Sequence, residues 1–208
     1  MNKTRLETFS DGVFAIVITL LVLNISVPDV PLDQLPASLL NIWPKILSYI
    51  MSFFLIGLYW IGHHLYFDKI ERVDGSFLLM NLVLLLLISF MPFPTSLLGK
   101  YPYQPLPLFL YGATLLMTNL VSFLMLRYMV KNPHLSTAEF RHEFSEASFR
   151  TEQLPLFFKI NGSLLLALGL SWYLPVLSYA FYIGTLVLGL MMYIKRINGR
   201  VEERKPFC

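Results

Sequence analysis

FSDGVFAIVITLLVLNISV, residues 9–27, decides how the rest of the chain is read. At about 1.5 Å per residue it is long enough to cross a bilayer as one helix, yet it carries an acid, a threonine and an asparagine. An inert anchor needs none of them. At about 100° per residue, Ile16, Leu20 and Leu23 share one narrow stripe, with Gly12 and Thr19 at its edge and Asp11 on nearly the opposite side. A helix of this kind can line a narrow passage with its apolar stripe while its polar end locks it to neighbouring helices.

The 208 residues are 56% hydrophobic and only 14% charged, against roughly 25% charged in an average soluble domain. Apolar runs recur along the whole length, so the expected class is an all-α integral membrane protein. The first run is too long for a cleavable signal and has no small-residue cleavage site, so it is expected to stay in the protein. One cysteine, Cys208, excludes an intrachain disulfide and a cysteine metal cluster.

Six transmembrane helices per subunit are expected, at about 5–27, 44–67, 76–98, 106–130, 156–173 and 174–196, forming a single domain over 1–208. Thr4 with Glu7 has capping-box spacing at the first helix, and Pro92 and Pro94 should kink or unwind the end of the third. Between the fourth and fifth spans, Ser136 with Glu139 repeats the capping box. There Phe140, Phe144 and Ala147 at helical spacing predict an amphipathic cytosolic connector over about 136–150, packed on the bundle. With six spans both termini share one side. Fourteen of the 16 Lys and Arg then fall on that side, leaving only Lys45 and Lys100 opposite. The positive-inside rule makes that side cytosolic, in the plasma membrane of a prokaryote.

Asp11 is the single acid inside the apolar part of a predicted span, residues 9–27, so it must be paired or neutralised. Arg5, Ser10, His63 and Asn81 are the available partners at a common depth. They predict either a structural polar clasp or, with Asp11 and His63, the relay of a proton-coupled transporter. His63 and His64 are adjacent and point about 100° apart, so no metal site is expected. A phosphate loop, a nucleophile elbow and a zinc-protease motif are all lacking, as is a TVGYG carbonyl selectivity filter, so neither an enzyme nor a nucleic-acid partner is expected.

Arg5 followed by Phe9, Ser10 and Asp11 matches an RxxxFSD signature, and Trp60, His63 and Phe67 form WxxHxxxF; Asn81, Phe90 and Pro92 follow on the third span. In these residues the chain resembles the transmembrane protein 175 family, whose animal members are endolysosomal potassium channels and whose prokaryotic members have a single repeat. The likeness covers the first three spans, to about Gly99. It implies a potassium-preferring, leak-like cation channel in a homotetramer, with membrane lipid around it, the permeant potassium ion and no cofactor. The first helix would line the central pore, Ile16, Leu20 and Leu23 forming stacked hydrophobic rings. Thr19 competes with Ile16 as the selectivity determinant. Arg5, Ser10, Asp11, His63 and Asn81 would form the clasp, with Phe9 and Trp60 as packing residues. One helix cannot enclose a passage, so symmetry must supply the rest.

Overall fold

The computed structural model describes residues 2–203; Arg204, Lys205 and Cys208 lie outside them. Among the described residues there are helices and no strands. The elements are α1 (Lys3–Leu20), running into a 3-10 turn at Leu21–Asn24, then α2 (Leu35–Asn41), α3 (Trp43–Phe67), α4 (Gly75–Phe90), α5 (Pro92–Lys100) and α6 (Pro105–Lys131). After these come α7 (Ala138–Glu143), α8 (Glu146–Ser148), α9 (Leu154–Leu170) and α10 (Pro175–Glu203). Five helical stretches are long and apolar enough to cross a membrane: Lys3–Asn24, Trp43–Phe67, Gly75–Lys100, Pro105–Lys131 and Glu146–Leu170. A shorter apolar stretch, Pro175–Met191, lies in α10.

Prolines open many of these helices. Pro92, Pro105 and Pro175 are first residues, and Pro36, Pro44 and Pro155 are second, where a missing N–H leaves no helical bond broken. The caps differ from the capping-box spacings. Asn2, not Thr4, caps α1, its Oδ1 accepting from the Thr4 N–H at 3.1 Å. Thr137, not Ser136, caps α7. In each case the side chain one or two residues earlier or later holds the extended backbone that a cap requires.

The third apolar stretch is interrupted at Met91, so that α4 and α5 meet at a break. Pro92 cannot donate to the preceding turn. The Asn24 amide donates to the Pro92 carbonyl at 3.3 Å, tying the end of α1 to this break. Beyond it α5 packs tightly on α3. A β-carbon at Gly99 would stand 2.9 Å from the Lys45 Cα, so only glycine fits that backbone approach. Ser52 of α3 bonds both Thr95, at 2.8 Å, and Tyr111, at 3.1 Å, which joins α3, α5 and α6 in an otherwise apolar core.

On the opposite end of the bundle, the loop after α3 lies against the loop after α6. Ile70 and Ser136 form an isolated bridge, flanked by Glu71 N–H to Leu135 C=O at 2.8 Å and by a Lys69–Glu139 ion pair. The connector over 136–150 is not one helix. It breaks at Phe144, and Ser145 caps a new start by accepting from the Ser148 N–H at 3.2 Å. Phe140, Phe144 and Phe149 are buried, while Ala147 is exposed. A π-helical turn, Phe149–Gln153, then leads into α9.

Asp74 caps α4, accepting from the Phe77 N–H at 2.8 Å and from the Tyr128 hydroxyl at 2.7 Å. Burial alone would raise its carboxyl, but these donors outweigh it and hold the group below the usual carboxylate range. A lowered folded-state value means that the stabilisation is present above the unfolded carboxylate range and is lost as pH falls through the folded value. Asp74→Ala is expected to cost about 1–2 kcal/mol, read as a lower Tm at neutral pH, with the gap to the parent closing in acid.

Candidate functional site

Helix α1 has two distinct faces. Phe14, Val17 and Leu21 are buried against α3 and α4, Phe14 to 1% exposure. The other face has no cover within the subunit: Ile16 is 60% exposed and Leu23 73%, with Leu20, Thr19, Ala15 and Gly12 also exposed. Burial thus follows the 3.6-residue period and sets the Ile16–Leu20–Leu23 stripe outward. The Thr19 hydroxyl donates back to the Ala15 and Ile16 carbonyls, at 3.1 and 2.8 Å, which turns its hydrogen toward its own helix.

At the other end of α1 a buried hydrogen-bond chain joins three helices. Ser10 Oγ donates to the Leu6 carbonyl at 2.9 Å, so its oxygen is the acceptor for the Asn81 amide at 3.0 Å. The Asn81 amide nitrogen is thereby committed to α1, which turns its Oδ1 to His63 Nε2, 2.8 Å away. His63 therefore donates from Nε2 and, as a neutral ring, keeps an acceptor at Nδ1. That Nδ1 is buried and lacks a hydrogen-bond partner. The ring is only 5% exposed and lies between Phe67, stacked at 4.1 Å, and Phe14 at 5.5 Å.

Asp11 is not bonded to His63. Its Oδ1 accepts from Trp60 Nε1 at 2.9 Å, and the Trp60 ring stacks on His64 at 5.9 Å. Trp60, expected only as a packing residue, is thus the donor that holds the intramembrane acid. An indole N–H at the depth of a lone carboxylate was the signal available for it. Arg5 is exposed and makes no ion pair with Asp11 among the described residues, and Phe9 is also exposed. His64 points out of the bundle, with Glu7 Oε1 4.0 Å from Nδ1 and Asp68 Oδ2 3.8 Å from Nε2. These three groups form an open polar cluster at the end of α3, where the sequence offers Glu7 only as the partner of Thr4 in a capping box.

A third polar group links α3, α6 and α9. Tyr59 donates to Asn119 Oδ1 at 2.7 Å, and the Asn119 amide reaches Asn161 Oδ1 at 3.4 Å. The apolar runs of the fourth and fifth spans gave no reason to pair these asparagines.

Fold and site define a multi-pass α-helical membrane protein whose first helix is clasped at one end and presents an uncovered apolar face. Residues 5–92 match the family model described as endosomal/lysosomal potassium channel TMEM175. A potassium channel of Chryseobacterium sp. is 33% identical over 203 residues, covering 98% of this chain and all of that one. The chain belongs to the TMEM175 family, a family of ion channels and not of enzymes.

The crystal structure of a homologue, from Chamaesiphon minutus, of the lysosomal potassium-selective channel TMEM175 has the same fold. It superposes with a TM-score of 0.75 at 31% identity, over 93% of this chain and 97% of that one. The human relative, an endosomal/lysosomal proton channel, is 24% identical over 202 residues; this chain spans 40% of its length.

Proposed function

We propose that the protein is a potassium-preferring, leak-like cation channel in which α1 lines the central pore of a homotetramer. The observation that carries this reading is the exposed Ile16–Leu20–Leu23 face of α1, on a helix whose opposite face is fixed in the subunit core. Burying such a stripe against copies of itself around an axis builds stacked hydrophobic rings. The bacterial relatives named potassium channels support the choice of ion. Each subunit crosses the membrane six times, the sixth span being the apolar part of α10, Pro175–Met191. Both termini then lie on the cytosolic side of the plasma membrane.

A ring of branched aliphatic side chains supplies no oxygen cage, so an ion must shed part of its water to pass. Potassium holds its hydration shell less tightly than sodium and passes more readily. Selectivity is accordingly modest and conduction slow. Ile16 carries the constriction, with the Thr19 oxygen, one turn away, as the competing determinant. Ser10, Asn81 and His63 form the buried clasp that holds the pore helix in place, and Trp60 holds Asp11 beside it; Arg5 and Phe9, both exposed, stand outside it.

The rival reading is a proton-coupled transporter using Asp11 and His63, and the human relative's name makes protons the ion to test against. Asp11 bonds Trp60 and His63 bonds Asn81, so the relay would need both bonds to break. Asp11→Asn removes the charge and keeps an acceptor for Trp60. The expected outcome is potassium efflux from proteoliposomes within about fivefold of the parent, since an exposed hydrogen bond is worth about 1 kcal/mol. Loss of transport in a protein that still elutes as the parent oligomer would instead establish the transporter.

A further inference from the structure

We propose that the cavity inside each subunit is a binding site for a small neutral molecule with an apolar body and one hydrogen-bond donor, a phenol or an alcohol. The cavity holds about 290 Å³ and lies between α3, α4, α6, α9 and α10. This is the low end of the range of small-molecule sites. Its walls are aliphatic and aromatic, from Leu55, Phe77, Leu84 and Leu126, and two flexible methionines, Met125 and Met129, let it adapt to shape. No Asp, Glu, Lys or Arg lines it. A charged ligand would be buried there without a counter-ion, so the ligand is neutral.

Three hydroxyls around the cavity share one character, beside the Asn119 amide and Tyr66. Tyr59 donates its hydroxyl hydrogen to Asn119, Ser122 to the Thr118 carbonyl at 2.9 Å and Thr185 to the Phe181 carbonyl at 2.9 Å. All three hydroxyl hydrogens are thus committed within the protein, leaving lone pairs. His63 also lines the cavity, and the bond direction set from the Leu6 carbonyl through Ser10 and Asn81 leaves its Nδ1 an acceptor. This nitrogen is buried and without a partner, an arrangement that is costly in a folded protein unless something donates to it. At its His63 end the cavity therefore offers a buried acceptor that requires a donor. Water can donate at the His63 end but cannot fill the aliphatic remainder, where it lacks partners.

The test uses purified full-length protein with 4-fluorophenol, and with fluorobenzene as the same shape lacking the donor, each titrated by fluorine NMR. The proposal expects saturable binding of 4-fluorophenol at one site per subunit, about tenfold tighter than fluorobenzene, with a concentration-dependent rise in Tm. Ser122→Phe and Ile160→Trp, which fill the cavity without touching the clasp, are expected to abolish saturation while elution matches the parent. Should both variants misfold, the comparison of the two probes on the native protein decides alone. Equal affinity for both probes, no saturation by either, or unchanged binding in a well-folded Ser122→Phe protein would each overturn the proposal.

Discussion

Ile16→Asn is expected to raise cation flux by tenfold or more and to bring the potassium-to-sodium permeability ratio close to one. In the proposed pore, an asparagine amide at the Ile16 ring would offer both donors and acceptors, so an ion would no longer shed water against aliphatic surface alone. A barrier lowered by about 1.4 kcal/mol already gives a tenfold faster passage. The same substitution has little effect on the subunit itself, because Ile16 is 60% exposed and supports no internal packing. Leu20 and Leu23 lie on the same face and should respond in the same direction with smaller effect. Thr19→Val is the discriminating companion: it removes the exposed hydroxyl and keeps the volume. If Thr19→Val abolishes selectivity and Ile16→Asn does not, the determinant is the threonine. The check is the ratio of potassium to sodium flux in proteoliposomes, on protein whose oligomer elutes unchanged.

Asn81→Leu is expected to be the most damaging single change for assembly. Asn81 is fully buried and bonds in two directions, receiving the His63 Nε2–H and donating to Ser10. A leucine of similar size leaves the His63 donor without an acceptor in an apolar surround. One stranded buried group costs about 1–3 kcal/mol, and the lost bond to Ser10 adds about 1 kcal/mol. Against a total stability of about 5–15 kcal/mol this is a large share. Because the chain of bonds fixes α1 to α3 and α4, the loss should appear first as release of α1. The expected readout is a lower Tm and dissociation of the oligomer on size-exclusion chromatography. Trp60→Phe, which removes one donor from partly exposed Asp11, should cost only about 1 kcal/mol and leave the oligomer intact. If Asn81→Leu and Trp60→Phe prove equally mild, the buried chain does not hold the helix.

Depth in the membrane is what the sequence makes legible. Counting residues along three apolar runs brings Ser10, Asp11, His63 and Asn81 to one level, and period alone aligns Ile16, Leu20 and Leu23 in one stripe, while packing shows Phe14, Val17 and Leu21 to be the buried face. Rotation of one helix about its axis relative to the next is not written in a single run. Asp11 accordingly bonds Trp60, not His63, and His63 turns to Asn81. The five long apolar stretches are plain from composition, whereas α2, α7 and α8 are short and depend on caps that several neighbouring side chains could supply. Asn2 and Thr137 win over Thr4 and Ser136 because of backbone conformation, which spacing does not determine. The interior cavity was invisible for a related reason. It exists where small residues such as Gly62, Ser122 and Thr185 leave volume unfilled between five helices, and no one segment reveals that their small faces converge.

The central claim is that a hydrophobic constriction on α1 passes potassium in preference to sodium. Its most direct test is the reversal potential of purified protein in a planar bilayer, with potassium on one side and sodium on the other. A reversal potential displaced toward the potassium equilibrium value, unchanged when a pH gradient is added, is the expected result. A silent bilayer from an intact oligomer, or a reversal potential that follows the pH gradient, would contradict it.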